Sequence, residues 1–129
     1  MSNNLNIGEK LNGAPSFNTV IEKSCYDNLE SYCDTFGGLY AWNELMNYSD
    51  VEGSQGLCPV GWHVPTESEW KTLEGFADDY YPIGDAEWNN SGDRGYDVGG
   101  NLRSVGLTYW SSPNYQATHI FGFTSFPGG

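Results

Sequence analysis

Hydrophobic and polar positions along this chain fall into two stretches of helical period, separated by long polar segments without one. In "FGGLYAWNELMNY", Leu39, Trp42, Leu45 and Met46 recur at offsets of three and four. That spacing predicts a first helix of roughly ten residues, one face apolar, with Gly37 and Gly38 marking its start. A second helix is signalled at Thr66. Glu69 stands three residues later, which is the spacing of a capping box: the threonine hydroxyl accepts from the Glu69 amide, and the glutamate accepts from the Thr66 amide. Pro65 suits the extended lead-in, and Trp70, Leu73 and Phe76 supply the apolar stripe. This helix is expected to end near Asp78–Tyr80.

The remaining segments lack a helical period. A short strand is expected around Asn18–Glu22, because Thr19, Val20 and Ile21 are β-branched. "SCYDNLESYC" reads as a compact loop, and so does "SDVEGSQGLCPVGW". From Tyr81 to Gly100 the chain is rich in Asp, Asn and Gly and has little periodicity, which reads as an irregular loop of about twenty residues. "NLRSVG" suggests a short extended segment, and "THIFGFTSFPGG" closes the chain with alternating aromatics. One domain, residues 1–129, is expected, since this length buries a core of its own.

Charge narrows the partners. Seventeen acidic residues against five basic ones give a net charge of −12, so no basic patch is available to neutralise nucleic-acid phosphates. An anionic membrane surface repels it for the same reason. No run of about 18 apolar residues is present to form a transmembrane helix, and the polar "MSNNLNIGEK" has no signal-peptide core. Aromatic residues make up 16% of the chain. They suit a loop-rich core and equally a sugar- or peptide-binding surface.

Candidate chemistry is sparse. "CPVGWHVPTESEW" brings a thiol and an imidazole together, but nothing nearby orients His63 as a base for Cys58. A zinc site needs about four ligands, and one Cys with one His does not supply them. The stretch reads as structural: Trp62 and Trp70 in the core, Thr66 and Glu69 capping the helix, His63 hydrogen-bonded to the loop. No catalytic residues are assigned. Cys25 and Cys33 enclose seven residues, so a local disulfide is sterically easy and braces a loop with little core; in a reducing compartment both stay thiols. Asp85, Glu87, Asp93 and Asp97 offer oxygen ligands for calcium, without EF-hand spacing. Trp88, Tyr96 and Trp110 are the aromatics proposed to stack on a ligand.

Taken in order, "MSNNLNIG", "CYDNLESYCDTFGGLYAWNELMNY", "GLCPVGWHVPTESEWKTLEGF", "NLRS" and "FGFTSFPGG" resemble the Fibrobacter succinogenes major paralogous domain over nearly the whole chain. "CPVGWHVPTESEW" is the specific core of the resemblance, and a similar segment occurs in formylglycine-generating enzymes. The resemblance implies an α+β fold of C-type-lectin-like kind: two helices, small antiparallel sheets and long irregular loops. It also implies an extracellular or cell-surface protein and a non-catalytic binding or adhesion role toward carbohydrate or a surface protein. Typical members extend further at both ends. The chain is therefore expected to lack an N-terminal strand and the C-terminal part, leaving Cys58 without its usual partner. Trp42, Leu45, Trp70, Leu73 and Phe76 then need cover. A homo-oligomer that completes the core is the alternative expectation.

Overall fold

The computed structural model describes residues 4–14, 16 and 18–127. The start of the polar N-terminal segment, Met1 to Asn3, lies outside the described residues. So do Pro15 of "LNGAP", Phe17 and the last two glycines of "FGFTSFPGG". The fold is α+β, with four helices and one two-stranded sheet among the described residues: β1 (Glu9–Lys10), β2 (Glu22–Lys23), α1 (Glu30–Phe36), α2 (Trp42–Leu45), α3 (Glu67–Ala77) and α4 (Val98–Leu102). Two short 3₁₀ turns, Tyr26–Asn28 and Ala86–Asn89, complete the order. The chain divides into two compact units, one ending at Pro65 and the other spanning Thr66–Pro127.

In the first unit β1 and β2 run parallel, Glu9 opposite Glu22 and Lys10 opposite Lys23. The expected small sheets are antiparallel; among the described residues antiparallel pairing is limited to one bridge between Ser24 and Leu39. The strand also begins later than its β-branched residues suggested. The Val20 amide is taken by the Asn18 side chain at 2.7 Å, which bends the chain before Glu22 reaches the sheet.

The helices of this unit differ from the periodic pattern. Residues read as a loop form α1, and Gly37 ends that helix instead of opening the next. Its φ of +89° lies in the left-handed region, which favours glycine. A Cβ there would sit 2.7 Å from that of Asn4. The predicted ten-residue helix shrinks to the four residues of α2, because its first half is used otherwise. Leu39 exchanges both backbone hydrogen bonds with Ser24, and the Gly38 amide donates to Leu5. Asn47 and Tyr48 then take positive φ and stop the helix.

Cys25 and Cys33 form a disulfide that joins the residue after the bridge to α1. Around it the interior is unusually polar. Glu44 is buried and accepts from the Glu22 amide at 3.0 Å and from the Tyr48 hydroxyl. Glu22 accepts from the Ser16 amide at 2.8 Å, and Lys23 meets Asn6 and Glu30. Each buried charge has partners, as its desolvation demands.

The second unit is organised by α3. Thr66 caps it as expected, with both halves of the capping box formed, and the helix ends at Ala77. Ala77, Trp88, Val98 and Leu102 make a buried cluster, against which Leu73, Tyr81 and Phe121 pack. Asn101 fastens α4 to α3 by donating to the Ala77 carbonyl at 2.9 Å. The C-terminal segment returns through a bridge from Ser125 to Arg103.

Candidate functional site

Between α3 and α4 runs a long irregular loop, and one carboxylate holds it together. Asp78, buried at the end of α3, accepts five backbone N–H groups. Its Oδ1 takes Tyr80 at 3.0 Å and Tyr81 at 2.8 Å. Its Oδ2 takes Tyr96 at 2.6 Å, Asp97 at 3.0 Å and Val98 at 3.2 Å. Both ends of a long loop are thereby tied to one side chain. Burial pushes the Asp78 carboxyl up, and the amides of Tyr81, Tyr80, Tyr96 and Asp97 outweigh that and hold it below its ordinary value.

The loop between those ends is filled by Trp88. Its indole is 1% exposed and donates to the Pro82 carbonyl at 2.9 Å, with the Tyr81 ring set edge-on. Arg94 closes the loop from outside. Its guanidinium forms a two-pronged pair with Glu74 of α3, at 2.6 and 3.3 Å, and donates to the carbonyls of Trp88 and Asn90. Gly95 is required here. At φ +82°, a Cβ would stand 2.9 Å from Asp78 Oδ2, from the Trp88 ring and from Val98.

Trp88 is therefore a core residue and offers no ring to a ligand, which corrects the expectation that it stacks. Sequence alone made it look like a loop residue because it has no periodic neighbours. Tyr96 fits the expectation better. It is 68% exposed, and Tyr80, which sequence reasoning did not select, is 70% exposed beside it. Their ring centroids lie 6.1 Å apart with planes tilted by 48°. Trp110 is half-buried. The Arg103 guanidinium sits 5.0 Å over its ring, and its indole N–H donates to Ser104 at 2.9 Å, so one face is already occupied.

Three of the four carboxylates considered for calcium serve backbone and side-chain groups of the fold itself. Asp85 caps the 3₁₀ turn through the Glu87 amide at 2.9 Å. Glu87 accepts from the Gly95 amide and from Asn90, Asp97 accepts from the Asp79 amide, and Asp93 is exposed. Among the described residues, no group of three or more His, Cys, Asp or Glu side chains is placed to hold a metal ion.

In "CPVGWHVPTESEW" the framework reading holds for Thr66 and Glu69, but not for the tryptophans as core. Trp62 is 56% exposed. A turn closed by its amide on the Pro59 carbonyl, with Gly61 at φ +85°, projects Val60 and Trp62 outward. Trp70 is also exposed, edge-on to Phe123. The buried apolar residue of this stretch is Val64, whose amide donates to Ser54 at 2.9 Å. His63 is exposed and partnered within the fold. Cys58 is a free thiol.

A concavity lies in the first unit. It is a cleft of about 120 Å³ lined by Trp42, Met46, Ser49, Asp50, Glu52, Gly53, Val64 and Pro65. No helix among the described residues is long and apolar enough to cross a membrane.

Comparison with curated proteins and with solved structures finds no match. The family model of the Fibrobacter succinogenes major domain matches residues 1–129. The chain belongs to the Fibrobacter succinogenes major domain family.

Proposed function

We propose that this chain is a non-catalytic binding module whose ligand surface is the tyrosine pair Tyr80 and Tyr96, and whose ligand is carbohydrate. The observation that carries this reading is the way the pair is mounted. Both rings are open to solvent, and both backbone amides are fixed to the same buried carboxylate. Such rings lose little backbone freedom when a sugar face stacks on them, which favours weak planar ligands. Asp79 and Asp97 lie next in sequence to the two tyrosines and offer acceptors for sugar hydroxyls. A C-type-lectin-like core, implied by the sequence resemblance, agrees with this role at the level of fold alone. The Cys25–Cys33 disulfide is consistent with an oxidising, extracellular setting.

A glycan array of the whole chain, run with calcium and with chelator, tests the reading. Expected is binding to a defined glycan class that Tyr96→Ala and Tyr80→Ala each abolish while the fold persists. No binding in either buffer, or binding indifferent to both substitutions, refutes it. The second reading is self-assembly through an aromatic face. Trp70, Phe76 and Phe123 are exposed in the second unit, and Phe76 and Phe121 meet edge-on at 5.2 Å. Sedimentation at low and high salt decides it: association that strengthens with salt supports assembly, because the acidic charge opposes it, and a monomer in both excludes it.

A further inference from the structure

We infer that the cleft lined by Trp42 is a binding site for a primary ammonium group on a short alkyl chain, and that its natural occupant is a lysine side chain of a partner polypeptide. This inference is independent of the tyrosine pair. Its volume is the first argument. At about 120 Å³ the cleft is smaller than the roughly 300–1,000 Å³ of sites that enclose a whole small molecule. It has the room of about four waters, enough for one slender side chain.

The lining is the second argument. Trp42, Met46, Val64 and Pro65 give apolar walls, Asp50 and Glu52 bring carboxylates, and the Ser49 hydroxyl accepts from the Val51 amide at 3.2 Å. An occupant apolar along its length and cationic at its end matches such a lining. Lysine has that build. Trp42 strengthens the case. It is 63% exposed at the start of α2, where an indole face attracts an ammonium group by its quadrupole. Met46, buried in the same lining and polarisable, adapts to an alkyl chain.

Charge complementarity is the third argument. With five basic residues against seventeen acidic ones, the chain attracts cationic partners over several ångströms of solvent and repels acidic ones. An anionic or neutral apolar occupant would have to meet Asp50 without compensation.

The test is NMR titration of the full chain with three probes: an acetyl-Gly-Lys-Gly amide peptide, the same peptide acetylated on lysine Nζ, and n-butylamine. Expected are shifts confined to the Trp42 indole N–H and the amides of Gly53 and Val64 when the lysine peptide is added. Its affinity should lie within about threefold of butylamine, fall about fivefold in Asp50→Asn or in Trp42→Leu, and weaken with added salt. The Nζ-acetylated peptide should bind at least about tenfold more weakly. Equal binding of the acetylated peptide would overturn the ammonium assignment. Butylamine binding without peptide binding would overturn the polypeptide source. Asp50 and Trp42 are both exposed, so neither substitution removes core, and the amide spectrum of each variant reports its fold directly.

Discussion

Replacing Asp78 with asparagine changes one oxygen into an amino group and leaves shape almost untouched. Five backbone N–H groups converge on the native carboxylate, two on Oδ1 and three on Oδ2. The asparagine oxygen can occupy only one of these positions. Its amino group then confronts at least two donors with a donor. Each stranded buried N–H costs roughly 1–3 kcal/mol, and the bonds that survive lose their charge assistance. Taking the low end for each of two stranded amides and adding the lost charge assistance, Asp78→Asn should destabilise the chain by about 3 kcal/mol. Urea unfolding followed by tryptophan fluorescence measures this, with the midpoint moving and the slope unchanged. The pH dependence gives an independent check. A carboxyl whose native pKa is depressed contributes stability above its unfolded value, about 4, and that contribution is lost as pH falls through the lowered native value. Wild type should therefore lose stability with acid below about pH 4 more steeply than Asp78→Asn. A destabilisation under about 1 kcal/mol, with parallel acid profiles, would refute the idea that this carboxylate organises the loop.

Gly95→Ala should cost about 2 kcal/mol or more, since a side chain at φ +82° is strained and its Cβ meets Asp78, Trp88 and Val98 at 2.9 Å; a neutral change in thermal unfolding would mean the loop yields freely. Thr66→Ala should cost about 1 kcal/mol through loss of the cap on α3, and a serine replacement should recover most of it, both read by chemical unfolding.

What could be read in the sequence was local. The capping box at Thr66 and Glu69 needs only neighbours three residues apart, and it formed as expected. Cys25 and Cys33 are close enough to bond regardless of the rest of the fold. Failures came where distant backbone claimed a segment. The periodic run from Leu39 lost its first half to pairing with Ser24 and Leu5, so side-chain spacing was outvoted by hydrogen bonds that spacing cannot express. Asp78 went unnoticed because three of its partners lie 18 to 20 residues away. The burial of Trp88 is hidden from the sequence for the same reason: it depends on Pro82, Ala77 and Val98 closing round it. At the candidate site, Tyr96 was chosen for its chemistry, while Tyr80 becomes visible only once the loop is folded beside it.

The clasp at Asp78 has a consequence for how such a surface can change over generations. It grips Tyr80, Tyr81, Tyr96, Asp97 and Val98 by their main-chain amides, and every residue but proline supplies one. The exposed rings at 80 and 96 take no part in that grip. Natural variation can therefore exchange the side chains presented there, and with them the ligand preferred, while the scaffold beneath is inherited unchanged.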